Sequence, residues 1–208
     1  PALEKNKLTY EYEYLLTEAM DKKFYASGAF FSKGIIVLKS VFKLLAISFL
    51  RARKFRYVFV QREAFMLGTA FFEKAIAKRS KLIFDFDDSI WLPNVSEANK
   101  KLAFLKNRNK IKQIIQAAHV NIAGNHFLQD YAKQFSEAVE LIPTCIDTNA
   151  YNRSSPLSPK TDNTVCIGWS GSQTTIEHFK LAIPLLEAIK KKYGNRIYFK
   201  VIGDASYQ

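Results

Sequence analysis

The chain has 208 residues, 48% of them hydrophobic and 24% charged, a balance that fits a folded globular protein and excludes a disordered or fibrous one. Its formal net charge of +12 comes from 31 Lys and Arg against 19 Asp and Glu, and it asks for an anionic partner. No helix-turn-helix, RNP or zinc-finger pattern is present, which argues against nucleic acid; the two cysteines argue against a disulfide framework or a zinc site.

In chain order, PALEKNK reads as the end of a helix whose preceding strand is missing, so the sequence is expected to be an excerpt cut at both ends. No leader-peptide pattern precedes the first strand-like segment. That segment is LTYEYEYL (8–15), where Tyr10, Tyr12 and Tyr14 alternate with Glu11 and Glu13; the period predicts a strand with one wet face. A helical stretch is expected from about Thr17 to Leu50, broken at Ser27-Gly28. Its apolar run from Phe30 to Leu50 is interrupted by Lys33, Lys39 and Lys43 and so is no membrane span. The run ends in RARKFR (51–56), four basic residues in six. Two readings stay open: an amphipathic helix lying on anionic lipid, or a helix packed on the core with its lysines in water.

Tyr57 to Val60 is expected as a short buried strand, 63–78 as a helix with Phe65, Phe72 and Ile76 apolar, and Lys81 to Phe84 as a strand. A long basic helix over 96–118, a strand over 119–123, a helix over 126–134 and a strand over 139–142 follow. Strands alternating with helices predict an α/β class, a Rossmann-like doubly wound parallel sheet over residues 1–151. Residues 152–164, NRSSPLSPKTDNT, read as a linker. Beyond it the strand 165–169, the helix 176–193 and the strand 196–203 predict the first βαβ unit of a second Rossmann-like domain over 165–208. Cys145 and Cys166 both sit in apolar, strand-like sequence and are expected to be buried thiols of a reducing compartment.

Open α/β sheets bind ligands at the carboxyl ends of their strands. Polar clusters fall there: Gln61-Arg62-Glu63, Asp85 to Asp88, Gly124-Asn125, and Gly168 to Ser172. The acidic knot in LIFDFDDSIW has three readings. It matches a metal-binding DxD with hard oxygen ligands. It also matches the loop of a haloacid-dehalogenase-like aspartate phosphatase, with Asp85 as nucleophile, Asp87 as acid/base and Ser89 on the phosphate. Lastly, it fits a carboxylate cluster that caps the next helix or pairs with Arg62 or Lys81. The turn GWSGS offers backbone N–H groups and the hydroxyls of Ser170, Ser172 and Thr174 to an anionic group such as a diphosphate. His119, His126 and His178 open strands or first helical turns, and none is expected to be catalytic.

VFVQREAF, FFEKAIAK, KLIFDFDDSIWL, AGNHFLQDYA, ELIPTCIDTNAY, VCIGWSGSQTT and LAIPLLEAIKKKYG, in that order, resemble a group 1 (family 4) glycosyltransferase of the GT-B fold. The resemblance spans nearly the whole chain. It implies two Rossmann-like domains facing across a cleft, and transfer of a sugar from a nucleotide-sugar donor to an envelope glycan, lipid-linked or other acceptor, with retention. It also implies no metal or other cofactor, and a bacterial enzyme of polysaccharide biosynthesis, cytoplasmic and peripheral at the inner face of the plasma membrane. By this resemblance Asp87 and Asp88 are the candidate catalytic residues, and Gln61, Arg62, Glu63, Asp85 and Asn125 line the acceptor cleft. Gly168, Ser170, Gly171 and Ser172 bind the donor. An anionic membrane surface is a further expected partner. Three departures stand out. Asp87-Asp88 replace the usual His-Asp pair, Thr144-Cys145 replace Asn-Gly, and the usual Arg and Lys after the donor-domain opening are missing from GWSGSQTTIEHF. The family's paired glutamates would fall past Gln208, so the chain alone is expected to be inactive.

Overall fold

The computed structural model describes residues 7–25, 28, 30–65, 68–92, 107, 109–150, 164–171 and 179–203. Two compact units separate, residues 1–145 and 146–208. In the first unit, helices α1 (Glu18–Tyr25) and α2 (Phe30–Ala46) flank Gly28, whose φ is 77°. From α2 the chain runs through a π turn (Ile47–Arg51) and a 3-10 turn (Ala52–Lys54) into strand β1 (Tyr57–Gln61). Then follow α3 (Phe71–Ala77), β2 (Lys81–Phe86), α4 (Lys110–Ala117), β3 (Val120–Ala123), α5 (His126–Lys133) and β4 (Val139–Leu141).

The four strands form one parallel sheet in the order β1-β2-β3-β4. In β2 the two-residue period sets Leu82, Phe84 and Phe86 on one face, all fully buried, and Ile83 and Asp85 on the other. On this face Phe84 and Phe86 meet Ile111, Ile114 and Ile115 of α4 and Leu128 and Ala132 of α5, which recur at helical spacing, while Leu82 packs on Ala52 and Ile76. Asn121, buried in β3, ties these layers together by donating to the carbonyls of Ile115 (3.2 Å) and Ala138 (3.3 Å). The result is a mixed α/β unit with a parallel sheet flanked by helices, compatible with a Rossmann-like fold. The described strands run straight across the sheet and do not themselves display the reversal of order that double winding requires.

Several expectations need correction. No strand forms over 8–15. Its acidic side chains serve ion pairs instead: Glu11 and Glu13 meet Arg51, and Glu13 meets Lys43 at 3.0 Å, while Lys43 also donates to the Tyr14 carbonyl. The helix expected over 63–78 shrinks to α3. The N–H of Arg62 goes to the Asp85 carbonyl and that of Ala64 to the Glu73 carboxylate, so the residues after β1 cross the strand ends as a loop. Strand β1 is not buried; its residues alternate between exposed and half-buried, as befits the sheet's edge. Cys145 is exposed in the coil after β4 and Cys166 is half-buried, so neither is a core thiol. The core-packed reading of 30–50 holds for one face of α2 only, since Ile36, Ser40 and Leu44 are buried whereas Phe31, Ile35, Leu38 and Phe42 are exposed. The expected basic helix over 96–118 is seen as α4, its earlier part lying outside the described residues. The linker, except Thr164, also lies outside them.

In the second unit, β5 (Val165–Ser170) pairs in parallel with β6 (Ile197–Ile202), and α6 (Ile183–Tyr193) connects them, with Pro184 in its first turn. Gly203 follows β6 with φ 124°, and a Cβ there would run into the Gly171 carbonyl, so only glycine fits. No described helix is long and apolar enough to cross a membrane.

Candidate functional site at the carboxyl edge of the sheet

The parallel register fixes what shares the edge. Gln61 ends β1 opposite Asp85, Asp85 lies opposite Ile122, and Phe86 lies opposite Ala123. Every strand therefore delivers its next residues to the same rim, which brings together Gln61-Arg62-Glu63, Asp87-Asp88 and Gly124-Asn125.

At this rim Arg62 takes a left-handed backbone, φ 64°, and donates its amide to the Asp85 carbonyl at 2.7 Å. That turn aims its guanidinium across to the next loop, where Nη2 donates to Asp88 Oδ2 at 2.8 Å. The expected pairing of the acidic knot with Arg62 is thus present, through Asp88. Asp87 is exposed on the same loop. Gly124 lies so close that a Cβ on it would stand 3.2 Å from Asp87 Cα, and its own N–H donates to the Phe86 carbonyl at 3.1 Å. Asp85 is half-buried within β2; burial, and then the charge of Asp87, push its carboxyl above the usual carboxylate range. Asn125 is exposed, but its Oδ1 accepts from the Leu128 N–H at 3.0 Å and so caps α5. Glu63 turns inward, 3.4 Å from the buried ammonium of Lys110. Gln61 is exposed at the end of β1.

Two features escaped the sequence. Beneath the loop after β1 lies a buried polar group: Lys110 donates to the Phe65 carbonyl, and Glu73, wholly inaccessible, accepts from Ala64 through Oε1 while Oε2 has no partner among the described residues. Burial raises the Glu73 carboxyl above its ordinary range against the lowering pull of Lys110. Beside the acidic loop stands an aromatic cluster. The Trp91 ring lies flat on Tyr131, centroids 3.6 Å apart and planes 2° from parallel, with Phe127 at 5.9 Å and the edge of Phe86 toward it at 6.3 Å. Phe127 and Tyr131 are one helical turn apart on α5, a spacing that would have revealed the cluster had a partner ring been sought in SIW.

In the second unit Gly168 and Ser170 lie within β5 and Gly171 directly after it. The N–H of Gly171 is donated to the Ile202 carbonyl at 3.0 Å, extending the ladder. Ser172 and Thr174 lie outside the described residues, as does His178; His119 and His126 are exposed. Among the described residues no group of three or more His, Cys, Asp or Glu is arranged to hold a metal ion.

Chemically, the rim offers one carboxylate fixed by an arginine, one open carboxylate, a half-buried carboxyl that keeps its proton more readily, and a flat aromatic surface alongside. Compared with known proteins, the chain matches no family model and has no significant match among curated proteins.

Proposed function

We propose that this chain is the acceptor-side part of a group 1 (family 4) glycosyltransferase of the GT-B fold, together with the opening βαβ unit of its donor domain. The enzyme transfers a sugar from a nucleotide-sugar donor to an envelope glycan, lipid-linked or other hydroxyl acceptor, with retention. The observation that carries the reading is the shared rim: a parallel register sets Gln61, Arg62, Asp87 and Asp88 at one strand edge, with Arg62 bonded to Asp88. The stretches KLIFDFDDSIWL and ELIPTCIDTNAY, which resemble the acceptor domain of that family, supply the elements around it.

On this reading Asp87, exposed and without a protein hydrogen bond among the described residues, accepts the hydrogen bond of the incoming hydroxyl. Asp88 is held by Arg62 and sets the loop. Trp91 and the exposed Phe127 lend an apolar face to the ring of an acceptor sugar. Glu63 and Asn125 act through position, the first by anchoring the loop to Lys110 and the second by capping α5. The turn after β5, with Gly168, Ser170, Gly171 and Ser172 as its expected donor-binding residues, takes the donor's diphosphate, and no metal or cofactor is needed.

Saturation-transfer NMR of the chain with short glycans and with nucleotide sugars tests this. Glycan signals should appear and weaken at least tenfold in Asp87→Asn and Trp91→Ala. The Arg62–Asp88 pair is more than half exposed and worth under about 1 kcal/mol of stability, so Asp88→Asn should keep the fold while weakening glycan binding. Mg²⁺-dependent hydrolysis of p-nitrophenyl phosphate, abolished by Asp85→Asn, would replace this reading with the aspartate-phosphatase one.

A further inference from the structure

From Phe30 to Lys54 the chain is one continuous helical run, and two exposed surfaces meet along it and at its end. The first is apolar. Phe31, Ile35, Leu38 and Phe42 are exposed, Phe31 to 84% and Phe42 to 64%. At about 100° per residue they fall within roughly 60° of arc. The buried residues Ile36, Ser40 and Leu44 lie on the opposite side of the same helix. The stripe is therefore not the core-facing one, and α2 is apolar on both sides. Leu50 in the π turn extends the exposed apolar surface.

The second surface is cationic. The run ends at an open concavity of about 500 Å³ between the amino ends of β1 and β2 and the end of α3. Arg53, Lys54, Arg56, Lys78, Arg79 and Lys81 line it, with no carboxylate in the lining. None of the six is ion-paired among the described residues. Instead, Arg79 stacks over Phe49 at 4.4 Å and donates to the Ala75 carbonyl at 2.9 Å, and Arg56 and Lys81 lie over Tyr57, contacts that bring no opposite formal charge to them. By contrast Arg51, between the two surfaces, is neutralised by Glu11 and Glu13.

From this pairing we infer that α2 and the cationic concavity form a docking surface for an anionic phospholipid bilayer, α2 lying in the interface with its exposed stripe among the acyl chains and the six cations on the headgroups. Charge complementarity and the stripe choose the occupant together. A nucleic acid would satisfy the cations and leave four large apolar side chains in water; a neutral apolar partner would leave six cations uncompensated. A bilayer with acidic headgroups meets both demands within one depth profile. The cationic concavity lies at the amino edge of the sheet, away from the carboxyl rim, and the inference uses none of the rim residues, so it fails or stands separately from the sugar-transfer reading.

Co-sedimentation of the 208-residue chain with vesicles of phosphatidylcholine and phosphatidylglycerol, against phosphatidylcholine alone, is the test. The chain should sediment with the acidic vesicles and weaken as salt rises. Replacing Arg53, Lys54 and Arg56 by Gln should lower partitioning about fivefold per charge, on the order of a hundredfold together. Phe31→Ser with Phe42→Ser should lower it by at least tenfold while leaving circular dichroism unchanged, because both side chains are exposed; this pair carries the test alone if the triple variant misfolds. Equal binding to neutral vesicles, or none to either, would overturn the inference. So would RNA binding that depends on the three cations without vesicle binding, or a dimer that the two serines dissociate.

Discussion

Arg62 and Glu73 are the two residues that local preference would not have put where they are. A left-handed backbone at a residue with a side chain costs about 1–2 kcal/mol, and Arg62 accepts that cost while its guanidinium reaches Asp88. Glu73 carries a different burden. Its Oε2 is buried without a partner among the described residues, and its carboxyl holds a proton above the ordinary value of 4.5. As pH rises past 4.5 the unfolded chain releases this proton while the native chain still keeps it. The native state then binds more protons, and stability falls until pH passes the native value. Glu73→Gln does not titrate. Urea unfolding at pH 5 and pH 8 should show the variant gaining on the parent as pH rises, by about 1.4 kcal/mol per unit by which native and unfolded values differ. A pH-independent difference between the two proteins would mean that Glu73 is ionised in the native state, paired through Lys110.

At the scale of elements, Asn125 joins a strand to a helix. Its side chain caps the amide of Leu128, whose own side chain is buried beneath the sheet. Asn125→Ala should therefore cost about 1 kcal/mol in chemical denaturation, and Asn125→Asp only a few tenths, since the carboxylate keeps both the acceptor and a favourable charge at the helix start. An equal loss in both would show that the residue acts through its amide group elsewhere. The strand expected over Lys81 to Phe84 was legible as a short apolar run, but its true end was not: Phe86 continues the buried face of Leu82 and Phe84 and draws Asp85 into the strand. Alternation misled at 8–15, where Glu11 and Glu13 repeat every second residue to reach Arg51 and not to line a sheet. The spacing of Phe65, Phe72 and Ile76 overextended α3 because a residue at the end of a loop can reach the same core as a helix; Phe65 does so, edge-on to Phe72 at 5.4 Å. The acidic loop was visible because its members are neighbours in sequence. Glu73 and Lys110 were invisible because their association depends on α3 and α4 meeting, which no local pattern encodes.

The molecule as a whole divides its burial unevenly. Every buried apolar residue described belongs to the first unit except Ile197. In the second unit α6 buries none of its residues, and Leu181 and Leu185 are both exposed. Backbone amides in a strand exchange with solvent only when the strand opens, and opening costs the apolar surface it exposes. For β2 and β3 that surface includes Leu82, Phe84, Phe86 and Ala123, all fully buried; for β5 and β6 it is one buried isoleucine, Ile197, with Ile167, Trp169, Phe199 and Val201 only half-buried. A difference of two or three large side chains, at about 1.5–3 kcal/mol each, separates the opening energies by more than the 2.7 kcal/mol that makes a hundredfold. Hydrogen exchange followed by mass spectrometry should therefore find amides of 165–170 and 197–202 exchanging at least a hundredfold faster than those of 82–86 and 120–123. Equal protection would show that β5 and β6 are held by more than the apolar burial of their own unit.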